Sequence, residues 1–277
     1  FDGEPFIKFE NTDLVCYAKG DSIEIFNTSG IYTFSEEEWN GTGGKVTWER
    51  VGFKQDEVWA DFEKYEIDMT RSEYEADSVI FHNSYYFDKP LVGGFQDKIF
   101  PQPDKSRLSY PRFSSYSTRL PIQNIIENVD YDGGFAQQAG KFLGRGSADE
   151  PATLIISREN NPFMLVEAAS FLIKLNKQDE PDLEGLSRKE RKEAERTSTN
   201  EKSRIVSQEA RITMLVEDDT ISHPGLKFTL LTDERVLRLE REDKGMSSTP
   251  YFNGFHNVEM EFNLLEWKID EPRMIFT

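Results

Sequence analysis

The chain has 277 residues, enough for one large domain or two ordinary ones. Its 51 acidic residues outnumber 33 basic ones, and a formal net charge of −18 argues against neutralising phosphates and so against direct nucleic-acid binding. The same charge disfavours docking on an anionic membrane, and no apolar run approaches the roughly 18 residues that a membrane-spanning helix needs.

Phe and Tyr are abundant, and aromatic side chains suit a pleated, half-buried surface. Strand-like text begins at Pro5-Phe6-Ile7-Lys8-Phe9. Ile23 and Ile25 then alternate with Ser22 and Glu24, and Asn27-Thr28-Ser29-Gly30 reads as the turn that follows. Val46 and Trp48 share one phase, which puts Trp48 in the core. Val58, Ala60 and Phe62 share another, which leaves Trp59 on the opposite, outward face. The stretch Pro101 to Pro121 is rich in Pro, Ser and Tyr. It predicts a division into residues 1–120 and 121–277, with one continuous body as the alternative.

Alternation resumes at Phe171-Ile173-Leu175, Ile205, Ile212-Met214-Val216, Phe228-Leu230, Leu237-Leu239 and Val258-Met260-Phe262-Leu264. Between them, residues 176–203 are almost entirely charged, and Ser187-Arg188-Lys189-Glu190 matches a helix capping box. The pattern predicts an all-β fold: an elongated strand-rich body, solenoid-like or of stacked antiparallel sheets, with one charged loop or short-helix insertion. Some phrases recur loosely. Asp21-Ser22-Ile23, Asp77-Ser78-Val79 and Asp219-Thr220-Ile221 each set an acid and a hydroxyl before a strand start. The pairs Gly43-Gly44, Gly93-Gly94 and Gly133-Gly134 each open a new run. Repeat units and convergent turn chemistry both account for them.

Motifs that carry chemistry are sparse. No phosphate-cradling loop and no nucleophile elbow are present. Cys16, the single cysteine, lies in an apolar run and is expected to be buried and inert; it excludes an internal disulfide. His82, His223 and His256 show no i,i+4 pairing, and His223 is expected to open a turn before Pro224-Gly225. Asn128 to Gly133 begins like a calcium loop and makes Asp130 and Asp132 the metal candidates. The position of the closing Glu is Ala139, so no metal and no cofactor are expected. Trp59, Tyr85 and Tyr86 are the candidate binding residues, as stacking platforms for sugars.

Four phrases, Gly43 to Trp48, Ala76 to Val79, His223 to Leu226 and Pro250 to Asn257, resemble stretches of very large, uncharacterised β-rich envelope proteins of Bacteroidota. The resemblance implies a segment of a longer exported chain and carries no catalytic residues with it. By fold-level analogy alone it extends to the lipid-guiding β grooves of the AsmA and TamB kind, whose long apolar runs are not seen here. The expected function is a non-enzymatic structural or assembly module of a bacterial envelope or cell surface. Its partners would be other envelope proteins or further segments of its own chain, and a cytoplasmic location also fits a single cysteine. The alternatives are a carbohydrate-binding or carbohydrate-active β domain and a lipid-guiding groove.

Overall fold

The computed structural model describes residues 5–101, 109–175, 203–216 and 219–277, so the charged insertion lies outside the described residues, save Ser203. Strands make up 64% of the chain, and helix is confined, among the described residues, to single 3-10 turns at Glu49–Val51 and Gly245–Ser248. The fold is all-β, and among the described residues every strand pairing is antiparallel. Two compact units are present, Phe1–Ser117 with Ala136–Gly140, and Thr118–Phe135 with Lys141–Thr277.

The first unit holds β1 (Phe6–Ala18), β2 (Asp21–Thr33), β3 (Glu38–Thr42), β4 (Lys45–Thr47), β5 (Val58–Asp61), β6 (Lys64–Asp68), β7 (Glu73–Asn83), β8 (Leu91–Lys98) and β9 (Arg112–Ser115). One row of paired strands runs β1-β2-β3-β6, and a second runs β2-β4-β5-β7-β8-β9. The end of β11 (Val129–Gln138), from Ala136 on, also belongs to the first unit and pairs there with β9; the second unit begins with β10 (Leu120–Ile126) and the rest of β11. It continues with β12 (Lys141–Arg145), β13 (Ala152–Arg158), β14 (Asn161–Ala168), β15 (Ser170–Lys174), β16 (Arg204–Val216) and β17 (Asp219–Leu231). It closes with β18 (Val236–Glu240), β19 (Tyr251–Asn253), β20 (Val258–Met260), β21 (Leu264–Lys268) and β22 (Met274–Phe276). Its rows run β10-β11-β13-β14-β16-β17-β19-β20 and β12-β15-β16-β17-β18-β21-β22.

Each unit therefore turns on one long hairpin: β2 serves both rows of the first unit, and β16 and β17 serve both rows of the second. The hairpins β1–β2 and β16–β17 have the same register throughout. Phe6 pairs with Thr33 and Ala18 with Asp21; Arg204, 198 positions after Phe6, pairs with Leu231, and Val216 with Asp219. Both carry two bulges at the same places. In the first hairpin, Glu10 and Asn11 face Ser29, and Phe26 and Asn27 face Asp13. In the second, Gln208 and Glu209 face Lys227, and Pro224 and Gly225 face Arg211. A bulge sets two residues against one and bends the strand, so each half of β2 and β17 meets a different neighbour.

These bulges correct two expectations. Asn27 to Gly30 is not a turn: β2 runs on through it, with Asn27 at φ 53° and its N–H donating to Asp13 Oδ1 at 2.9 Å. Pro224-Gly225 is likewise inside β17, where a bulge tolerates the missing proline N–H. Asp77-Ser78-Val79 and Gly93-Gly94 also sit within strands, on the two sides of a further bulge, between β7 and β8. The row Val258-Met260-Phe262-Leu264 breaks after Met260, and the buried row beyond it is Leu265, Trp267 and Ile269. Cys16 is half-buried, not buried.

The core of the first unit is aromatic. Trp48 is fully buried, as its phase predicts, edge-on to Phe81 at 5.1 Å and Phe95 at 5.8 Å. Beside it a directed chain of hydrogen bonds crosses between rows. Trp39 Nε1 donates to the Tyr65 hydroxyl at 3.2 Å, Tyr65 donates to Thr28 Oγ1 at 2.7 Å, and Thr28 donates to the Gly43 carbonyl at 2.9 Å. Direction follows from the Gly43 carbonyl, which only accepts and so takes the one Thr28 proton, leaving Tyr65 to donate to Thr28. The Tyr65 ring needs Gly41 beneath it, since a Cβ there would lie 2.2 Å from the ring. Replacing Tyr65 with Phe keeps the packing but strands the Trp39 N–H. The expected cost is about 1–3 kcal/mol, read as a melting temperature about 2–10 °C lower with an unchanged fold.

Candidate functional site

Two surface regions of the first unit concentrate polar and aromatic groups. The first surrounds Trp59. Because β4 and β7 flank β5, Thr47 and His82 stand directly beside Trp59 on either side. The His82 imidazole stacks on the indole at 4.3 Å with 7° between the planes, and Lys45 Nζ lies 4.7 Å from the ring centre. Lys45 and His82 belong to opposite neighbouring strands, so they approach the indole from opposite sides. Asp61, two residues along β5, accepts from Trp59 Nε1 at 3.1 Å, and the same Oδ2 lies 3.1 Å from His82 Nε2. Trp59 thus faces outward, as predicted, but with a ring face already stacked and the other beneath a cation.

Tyr85 and Tyr86 lie in the turn that follows β7. The Tyr85 hydroxyl donates to Glu57 Oε2 and holds that carboxyl below its usual range, while its ring packs edge-on to Phe53 at 5.6 Å. Tyr86 is half-buried, and burial drives its phenol pKa upward. Trp59 and Tyr85 therefore have different ring partners, His82 and Phe53.

The second region is a cleft of about 720 Å³ lined by Tyr17, Asp21, Phe26, Arg50, Asp97 and Pro111, among others. The 3-10 turn after Trp48 delivers Arg50 into it. Arg50 Nη2 donates to Asp97 Oδ1 at 2.5 Å and to the Lys98 carbonyl at 3.3 Å. Nη1 reaches the Ser22 carbonyl at 3.3 Å and lies 3.6 Å from Asp21 Oδ2. Asp21 also accepts the Phe100 N–H at 2.9 Å, and Asp97 the Lys98 N–H at 2.7 Å. The guanidinium has little donor capacity left for a ligand and clamps the start of β2 to the end of β8. Burial pushes the Asp97 carboxyl up to about 6, against the opposing pull of Arg50 and the Lys98 N–H.

The remaining candidates are structural in their contacts. Asp130 and Asp132 share the outward face of β11, an extended strand that does not wrap around an ion. Asp130 accepts the Asn124 N–H at 2.8 Å, and Asp132 Oδ2 meets Arg119 at 2.6 Å. No group of three or more potential metal-ligating side chains occurs among the described residues. His223 Nδ1 accepts the Gly225 N–H at 3.1 Å, so Nε2 carries the proton and donates to the Thr249 carbonyl at 2.9 Å. His256 lies exposed beyond β19. His82, Asp61 and the Arg50 clamp escape sequence reasoning because pairings over 21 to 76 residues assemble them. Only the i,i+2 spacing of Trp59 and Asp61 is visible locally. Compared with known proteins, the chain matches no family model, no curated protein and no solved structure.

Two buried groups give opposite pH signatures. Asp97 has a folded pKa raised above its ordinary 3.8. Its contribution to stability is full below about 3.8 and is lost as pH rises through about 6. The melting temperature of the native chain minus that of Asp97→Asn should therefore rise as pH falls from 7 to 4; a flat difference contradicts the assignment. His223 has its pKa lowered by burial from 6.5. Its contribution is full above 6.5 and lost as pH falls below that value. Imidazole NMR should show the Nε2–H tautomer at neutral pH and a midpoint below 6.5.

Proposed function

We propose that this chain is a non-enzymatic structural and assembly module that works through strand surfaces, in a β-rich protein of a bacterial envelope or cell surface. The observation that carries the reading is the pair of hairpins built from thirteen-residue strands, alike in register and in both bulges. A chain that builds the same bent scaffold twice invests its sequence in a surface that stacks. The polar groups of the cleft support it too: Asp21, Asp97 and Arg50 are engaged with one another and with backbone. The envelope placement rests on the four phrases that resemble Bacteroidota envelope proteins, and the proposed partners are other envelope proteins or further segments of the same polypeptide. Sugar binding is the second reading, favoured by the concentration of Trp59, His82, Asp61 and Lys45 on one outward face. Against it stands the covered indole, since sugar stacking needs an open ring face.

Sedimentation with bacterial envelope fractions separates the readings. An assembly module is retained by untreated envelopes, released when the envelope is first digested with protease, and indifferent to glycosidase treatment. Retention that survives protease but is lost with glycosidase, and that falls with Trp59→Ala, overturns the proposal in favour of carbohydrate binding. Retention by protein-free lipid vesicles overturns it in favour of a lipid groove.

A further inference from the structure

In the second unit β16 has neighbours on both sides. β17 pairs with one side; β14 pairs with the other from Ala210 to Met214, and β15 from Arg204 to Val206. Its inward row, Ile205, Ser207, Ala210, Ile212 and Met214, is buried throughout, with no member above 4% exposed. The counterparts 198 positions earlier are Ile7, Phe9, Thr12, Leu14 and Cys16 on β1. Among the described residues no strand pairs with the second side of β1 from Ile7 to Tyr17. The row is correspondingly open: Ile7 is 43% exposed, Phe9 is 38% exposed, and Thr12, Leu14 and Cys16 are half-buried. Backbone, register and bulges are alike, so the difference between the two hairpins is the neighbour.

We infer that the second side of β1 is an acceptor for one added antiparallel strand of the β14–β15 kind, with apolar residues at alternate positions in two short runs. The break between the runs is specific. β14 ends at Ala168 opposite Ala210, and β15 resumes pairing at Leu172 opposite Val206, so the interruption falls at the bulge of β16. β1 has that bulge at Glu10 and Asn11, so a continuous flat strand does not follow it and a broken one does. Strand addition takes affinity from main-chain hydrogen bonds and selectivity from alternate side chains, here those that meet Ile7, Phe9, Leu14 and Cys16. The inference rests on the assembly reading in naming a strand, not a small ligand, as the occupant.

The chain's own segment Asn161–Lys174, as a synthetic peptide added to the intact protein, is the probe. Saturable binding should slow exchange of the outward-facing amides between Ile7 and Tyr17 by about tenfold or more. Peptides N-methylated at alternate residues should divide into one phase that binds and one that does not, because an added strand uses a single edge. Ile7→Lys and Phe9→Lys, at exposed positions, should weaken the peptide by about tenfold or more, or about 1.4 kcal/mol, while the melting temperature holds. The inference is overturned if the peptide leaves β1 exchange unchanged or protects β16 instead. Outward β1 amides already protected in the free monomer also overturn it, since another part of the chain then covers the edge. Failure here with protease-sensitive envelope retention intact removes the acceptor edge alone; loss of that retention removes the assembly reading.

Discussion

Two bulges per hairpin decide how this chain folds. A thirteen-residue strand is about 40 Å long when extended, more than twice the usual strand, and a straight one of that length serves a single sheet. Setting Glu10-Asn11 against Ser29, and Phe26-Asn27 against Asp13, bends β1 and β2 together without breaking their pairing. The far half of β2 then adds β3, and Phe26 at the bend adds β4. In the second unit Lys227 to Leu231 add β18, and Ile221 with Ser222 add β19. Without the bends, the two rows of each unit have no common strand to hold them.

Once a strand serves two rows, the residues inside the bend face a core that closes on itself. In the first unit large rings fill it: Trp48, Phe81, Phe95 and Phe113 are all nearly inaccessible, and Phe81 stacks on Phe113 at 4.1 Å. Rings of this size demand bare backbone nearby. Gly93 sits where a Cβ would lie 2.1 Å from the Ser114 carbonyl and 2.7 Å from Phe113. The pair Gly93-Gly94, which reads as the opening of a new run, is thus a close approach between two strands and the aromatic layer under them.

The alternation that reads as strand in the sequence is strand in the structure wherever one row faces the core, as with Val58-Ala60 beneath Trp59 and Ile212-Met214 in β16. Reading fails at Asn27 and at Pro224-Gly225 for one reason. Turn chemistry and bulge chemistry use the same residues, since both need φ > 0 or a missing N–H, and only long-range pairing separates them. The phase error at Leu264 has the same root, because a short break shifts a period-two row by one and exchanges its faces. Trp59 was legible as an outward residue. His82 stacked upon it was not, because β7 reaches β5 only by skipping the intervening β6, which pairs with β3 instead.

The phrase Asp-hydroxyl-Ile, at Asp21 and again at Asp219, gains its meaning from the shared scaffold. Both aspartates start the second strand of the long hairpin, 198 positions apart and at the same place in the register. Each catches a backbone N–H from far along the chain: Asp21 that of Phe100 at 2.9 Å, and Asp219 that of Phe255 at 2.9 Å. Each is secured by a side chain as well, Asp21 by Arg50 across 3.6 Å and Asp219 by Asn253 at 2.6 Å. The partners differ in sequence, in separation and in secondary structure, yet the task is the same. A carboxylate at the tip of a bent hairpin anchors the segment that would otherwise leave the hairpin's end unsupported. Carboxylates in this acidic chain are therefore read by position in the scaffold, and the cleft beside Asp21 is the space left by such an anchor.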